Sequence, residues 1–268
     1  MSGDFVDTSV GRLYVETDGD GPPALLWHSL FIDSTSWELL RPKLAQHRRL
    51  IVVDGPGHGR SGHPDGDYRI ADCAAAAIEV LDALRVSGPI DWVGNAWGGH
   101  IGIAFAAQHP DHCRTLVTIG TPVHALNTTE RLTQIIPLLA GYRVAGPIGF
   151  VYKPLFDALL GAEAAAAQPD LTARLVNSFR SAGRSAMYRA ILSVSLRRPD
   201  LTNLLPDVTA PTLMAACQDD PGWNYDQAMA AVAKMPNGRA VKVRGTGHVA
   251  PVLLEPDLLV SRIAELWG

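Results

Sequence analysis

Three segments of this sequence hold residues that could do chemistry together. His248 lies in Arg244-Gly245-Thr246-Gly247-His248, a glycine-flanked loop after an apolar run. An imidazole there can project over a strand end and both take and return a proton near neutral pH. Two adjacent carboxylates, Asp219 and Asp220, follow another apolar run, Thr212 to Cys217, and either can hold that imidazole in one tautomer. The third segment, Val93-Gly94-Asn95-Ala96-Trp97-Gly98-Gly99, sets glycines two positions either side of Ala96. That spacing suits a strand-to-helix turn so sharp that its central residue is strained and its neighbours must be small. In G-x-S-x-G sequences such a turn displays a nucleophile. Ala96 offers only a methyl group, which cannot attack a carbonyl.

The surrounding pattern supplies strands and helices to position these segments. Short apolar runs alternate with amphipathic stretches, the rhythm of a mostly parallel sheet covered by helices. Strands are expected at Gly11 to Glu16, Ala24 to Trp27, Leu50 to Val53, Ile90 to Val93, Thr115 to Ile119, Thr212 to Cys217 and Ala240 to Val243. Helices are expected at Trp37 to Ala45, Ile70 to Val86, about Gly98 to Gln108, Tyr225 to Met235 and Pro256 to Trp267. From Pro122 to about Pro206 no strong strand pattern occurs, and the segment reads as helices broken at Pro137, Pro147, Pro154 and Pro169.

In this order the motifs resemble those of the α/β-hydrolase family over nearly the whole chain. His28-Ser29-Leu30 is similar to the family's His-Gly motif, with Ser29 in place of glycine. Asp54 to Ser61 resembles its D-x-x-G-x-G-x-S loop, Pro211 to Asp220 its acid loop, and Gly247-His248 its histidine loop. The resemblance implies a mostly parallel central sheet flanked by helices, with a core formed by 1–121 and 207–268 and a helical cap at 122–206. It implies Ala96 at the nucleophile position and His248 as the base. It selects Asp220 as the acid, because Cys217 takes the glycine place of a G-x-x-D loop. The backbone N–H groups of Leu30 and Trp97 would form the oxyanion hole. His28, Ser29, Phe31, Trp97 and Val249 would border the substrate, with His28 organising the oxyanion loop. The other histidines, His47, His58, His63, His100, His109, His112 and His124, are read as ordinary loop or core residues.

The chemistry expected is hydrolysis of a carboxylic ester or lactone through a Ser-His-Asp mechanism. An engineered Ser→Ala variant is the simplest account of Ala96 beside a retained Asp220 and His248. Three alternatives stay open. An aspartate nucleophile at position 96, as in haloalkane dehalogenases and epoxide hydrolases, would suit Trp97. Carbon–carbon bond hydrolysis would suit Gly94-Asn95, although Val249-Ala250-Pro251 lacks the expected aromatic. A ligand-binding or lyase member of the same fold is the third. Apolar cap residues such as Leu126, Ile135, Leu138, Phe150, Tyr152, Leu155 and Phe156 point to an apolar acyl or alkyl group.

Composition narrows the partners. The 268 residues carry a net charge of -4, and charged residues make up 19%. Arg48-Arg49 and Arg197-Arg198 are short pairs read as solvated surface, so no basic footprint for nucleic acid exists. No phosphate-cradling loop or metal-ligand cluster is present, so neither cofactor nor metal is expected. Cys73, Cys113 and Cys217 are too few and too scattered for a disulfide framework, and each is read as a buried or half-buried thiol. No apolar stretch reaches the ~20 residues of a membrane helix, and no secretory leader is read at the N-terminus. The expected location is the cytoplasm, the expected partner a small-molecule ester or lactone, and a homodimer is left open.

Overall fold

The computed structural model describes residues 2–64 and 66–268. Eight strands form one sheet: β1 (Ser2–Thr8), β2 (Gly11–Asp18), β3 (Pro23–Trp27), β4 (Arg49–Asp54), β5 (Ile90–Asn95), β6 (Cys113–Ile119), β7 (Thr212–Cys217) and β8 (Gly238–Val243). Their spatial order is β1-β2-β4-β3-β5-β6-β7-β8. β1 pairs with β2, and β2 with β4, in antiparallel fashion, and every other neighbour is parallel. This is the α/β-hydrolase architecture. The central strands read as unbroken apolar runs because helices cover both faces. Leu25, Leu26, Trp27, Ile51, Val52, Trp92 and Val93 are all sealed from solvent.

The chain leaves β3 in one direction across the sheet and β5 in the other, so the loops after these two strands open a crevice at their carboxyl ends. The helix Ile70–Ala83 buries Cys73, Ala74, Ala77, Val80 and Leu81. Spacings of three and four put these small residues on one face, which packs closely against the neighbouring helix. The helix Trp97–Gln108 is buried nearly all round, as its uninterrupted run of apolar and glycine residues requires.

Several boundaries differ from the sequence expectation, each for a local reason. β1 carries only Phe5 and Val6 as large apolar residues among polar neighbours, so its pattern is faint. The expected helix from Trp37 to Ala45 splits into a 3-10 turn, Ser34–Trp37, and a single α-turn, Arg41–Leu44, which starts beside Pro42. A short helix, Ala250–Leu254, follows His248 directly.

Between β6 and β7 the described chain forms helices and turns but no strand, the longest being Gly149–Ala167. Pro154 sits inside that helix and does not end it. The break comes instead at Gly161, whose φ of 71° leaves helical geometry. A Cβ there would stand 2.4 Å from the Thr246 hydroxyl. The break lets this helix approach the loop that carries His248. There the Leu159 carbonyl accepts from Val249 N–H at 2.9 Å.

Candidate active site

The turn after β5 has the geometry its glycines require. Ala96 holds φ 44° and ψ -99°, a region that L-residues rarely occupy. Gly94 and Gly98 are glycine because there is no room for more. A Cβ on Gly98 would lie 1.9 Å from the Trp27 carbonyl, and one on Gly94 would lie 2.2 Å from the Gly98 backbone. Ala96 N–H donates to Ile119 O at 2.8 Å, and Gly98 N–H to His28 O at 3.1 Å. The turn is thus fixed to both neighbouring strand ends, through Ala96 on one side and Gly98 on the other. Phe31, in the loop after β3, is strained as well, with φ 76°. Two of the three described non-glycine residues with positive φ therefore border one site, and strain of this kind persists only where surrounding structure enforces it.

His248 and Asp220 meet across the crevice. Nδ1 of His248 donates to Oδ2 of Asp220 at 2.6 Å. The other carboxylate oxygen accepts from Gly222 N–H at 2.8 Å and Trp223 N–H at 3.2 Å, and Asp220 is buried. Asp219 is exposed. Among the described residues, neither Leu30 N–H nor Trp97 N–H donates to a protein acceptor. Both residues border the same cavity, of about 190 Å³, together with Ser29, Phe31, Ala96 and His248.

His28 and Val249 do not line this cavity. The side chain of His28 is fully engaged behind it, with Nδ1 donating to Ser29 O at 2.7 Å and Nε2 accepting from Gly55 N–H at 2.8 Å. Val249 is buried and reaches the helix Gly149–Ala167 through its backbone. The Trp97 ring packs against Trp27, His28 and His58, with centroids 5.1–5.8 Å apart. Among the apolar residues singled out between β6 and β7, Leu126, Ile135 and Leu155 line the cavity. A larger apolar groove of about 520 Å³ adjoins it, bordered by Leu138 and Phe150 and sharing Ile135 and Leu155. Phe156 is core, and Tyr152 lies under the Arg180 guanidinium.

Comparison with known proteins gives a family. The model of the alpha/beta hydrolase family matches residues 24–262. A relative named as the carbamate hydrolase RutD, from Azorhizobium caulinodans, is 31% identical over 262 residues, 96% of this chain and 95% of the relative. The chain belongs to the alpha/beta hydrolase family. The 2-hydroxy-6-oxo-2,4-heptadienoate hydrolase of Pseudomonas putida is 32% identical over 142 residues, 53% of this chain and 47% of that protein. The chain spans about half or less of the length of several such relatives. Among hydrolases of known structure, a thermophilic esterase from Thermogutta terrifontis superposes with a TM-score of 0.88 at 25% identity, covering 99% of this chain and 97% of that one. No helix among the described residues is long and apolar enough to cross a membrane.

For this member of the alpha/beta hydrolase family, sequence reasoning missed four supporting residues. Asn95 is buried, and its Nδ2 donates to Ile119 O at 2.9 Å and to His248 O at 2.8 Å. It thereby fastens the histidine loop to the elbow. Asn95→Ala is expected to lower stability by about 1–3 kcal/mol, because the buried Ile119 carbonyl and the part-buried His248 carbonyl lose this donor. A urea midpoint unchanged from the parent protein would contradict this. His58, read as an ordinary loop residue, braces the loop after β3. Its Nδ1 donates to Pro56 O at 3.0 Å and its Nε2 accepts from Phe31 N–H at 3.3 Å. His100, one helical turn past Ala96, lines the cavity and donates through Nε2 to Pro122 O at 2.8 Å.

The fourth is Arg198, which is not solvated surface. It borders the cavity and donates through Nη2 to His124 O at 2.9 Å. Arg48 is not solvated surface either. It pairs with the buried Asp91 at 2.7 Å. Apart from the bond of His58 to Pro56, these partners lie 22 or more residues away in sequence, so spacing carried no signal.

The two bracing histidines impose a pH dependence. Burial pushes His28 down to about 4 and His58 down to about 3. Each uses one ring nitrogen as an acceptor, so each must be neutral to make its bonds. In the unfolded chain both titrate near 6.5. Their contribution is therefore complete above that value and falls as the pH drops toward their folded values, since the unfolded state binds more protons there. Between pH 7 and 4.5 the loss is expected to be on the order of 5 kcal/mol. Urea unfolding at the two pH values measures it, and equal midpoints would refute the assignment.

Proposed function

We propose that this site is built for hydrolysis of a carboxylic ester or lactone by a Ser-His-Asp mechanism, halted at Ala96. The observation that carries this reading is the Asp220–His248 hydrogen bond of 2.6 Å facing a residue held at φ 44°, ψ -99° on a strand-to-helix turn. With serine at position 96, Oγ attacks the carbonyl carbon and Nε2 of His248 takes its proton. Asp220 holds the imidazole in the tautomer that leaves Nε2 free. The oxyanion that develops is met by the N–H groups of Leu30 and Trp97, preset where charge appears. The tetrahedral intermediate collapses as the ester C–O bond breaks and His248 returns its proton to the departing alkoxide. Water that His248 then deprotonates attacks the acyl-enzyme, releasing the acid and returning the proton to Oγ. Residues 122–206 act as a cap that shapes the acyl pocket, and the apolar groove bordered by Leu138 and Phe150 suits an alkyl chain. Replacement of serine by alanine in a working hydrolase accounts for an alanine beside an otherwise complete site. The protein then binds its ester and stops.

Carbon–carbon hydrolysis is the second reading, favoured by the name of the Pseudomonas putida relative. One experiment separates the chemistries. Ala96→Ser and Ala96→Asp variants are assayed against ester, lactone, dienoate, haloalkane and epoxide panels. Turnover of esters or lactones by the serine variant is expected. A serine variant inert on esters and lactones, with the aspartate variant active on haloalkanes or epoxides, would overturn the reading.

A further inference from the structure

The cavity beside Ala96 contains one charge that no hydrolytic step uses. Arg198 follows the π-helical turn Ile191–Leu196 and borders the cavity with Ala96, Trp97 and His248. Its Nη2 donates to the His124 carbonyl, while its Nε is buried with no hydrogen-bond partner. Among the described residues no carboxylate lies within 4.0 Å of it. Arg131, half-buried and also with an unpartnered Nε, adds repulsion instead of a counter-charge, whereas three other buried or half-buried guanidiniums have carboxylate partners. Arg41 is paired with Glu16 and Asp18, and Arg48 and Arg114 with Asp91. Glu130 and Asp200 reach Arg198 only through longer-range attraction. Each of those carboxylates is engaged locally, Glu130 on Asn127 N–H at 2.7 Å and Asp200 on Thr202 N–H at 2.8 Å.

The opposing walls add no counter-charge. Leu126, Ile135, Leu155, Leu159 and Val194 are apolar. His100 is held neutral, first by burial and then by the nearness of Arg198 itself. A guanidinium in such a place is costly without an anion, and its planar fork matches a carboxylate in bidentate fashion.

We propose that Arg198 anchors a carboxylate of the substrate, so that this pocket takes an ester or lactone bearing a free carboxylate at the end remote from the scissile bond. The proposal rests on the hydrolytic reading of the same site and names its substrate class. The carbonyl sits at the Leu30 and Trp97 N–H groups, the carboxylate sits on Arg198, and the apolar walls enclose the chain between them.

The test uses the Ala96 protein as it stands. Monomethyl adipate and dimethyl adipate are titrated calorimetrically into it and into its Arg198→Gln and Arg198→Lys variants. The monoester is expected to bind roughly ten- to a hundredfold more tightly than the diester, the range of a charge-assisted pair. Arg198→Gln should erase that preference, and Arg198→Lys should keep part of it. Thermal melting of the free variants controls for folding. Equal affinities, a preference that survives in Arg198→Gln, or no binding of the monoester at millimolar concentration would each overturn the anchor. Hydrolysis is scored separately in the Ala96→Ser protein. If that variant cleaves both esters at equal rates, the hydrolytic reading stands and the anchor falls. If it cleaves neither while the binding preference persists, the anchor stands and the hydrolytic reading falls.

Discussion

Ala96→Ser is expected to raise kcat/KM for short aryl esters by on the order of a million-fold, the effect of a nucleophile in comparable triads. Such a factor corresponds to about 8 kcal/mol of transition-state stabilisation. It is this large because the parts of a triad work as a unit. The backbone at position 96 already holds the strained geometry, with φ 44° and ψ -99°, so the hydroxyl need not induce it. Asp220 and His248 already share their hydrogen bond. The Leu30 and Trp97 N–H groups meet no protein acceptor among the described residues. On the proposed reading, one oxygen atom completes the arrangement without rearrangement elsewhere. The measurement is release of p-nitrophenol from acetate and butyrate esters by both proteins. A gain below about tenfold would mean that the surrounding groups are not set for acyl transfer.

The second large effect separates the two neighbouring carboxylates. In the Ala96→Ser background, Asp220→Asn is expected to lower turnover by about ten-thousand-fold, as in other triads where the acid becomes an amide. Asp220 accepts three hydrogen bonds, from His248, Gly222 and Trp223. An asparagine can accept through only one of its two arms. Either the imidazole faces an N–H and adopts the wrong tautomer, or the Gly222 and Trp223 N–H groups do. Asp219 is exposed, and Asp219→Asn should alter turnover only slightly. Thermal melting separates loss of catalysis from loss of fold. The opposite ranking would transfer the acid role to Asp219.

Seven of the eight described strands, the elbow turn and the loop that carries His248 were legible because they depend on local signals. A buried parallel strand reads as an apolar run, and a turn as tight as that around Ala96 leaves room only for glycine at Gly94 and Gly98. What stayed hidden depends on distant partners. His58 braces Phe31, 27 residues away, and Asn95 holds a carbonyl 153 residues away. No spacing rule links such positions. Arg198 was masked by its neighbour. Arg197 is exposed and paired with Asp67, so the dipeptide looks like surface, although the second member turns to the cavity. Proline was also an unreliable stop signal: Pro154 is accommodated within its helix, whereas Gly161 breaks it.

The joint between Leu159 and Val249 bears on how such a molecule could diversify. Helical insertions between two strands look interchangeable, as if one could be exchanged for another to obtain a new specificity. Here the exchange is constrained. The inserted helix offers a carbonyl to the residue directly after His248, and it comes so close that a Cβ on Gly247 would lie 2.2 Å from that same oxygen. A transplanted segment without a break equivalent to Gly161 would either collide with this loop or leave Val249 N–H without its acceptor. New specificities in this lineage should therefore arise by side-chain replacement along the existing insertion more readily than by wholesale grafting.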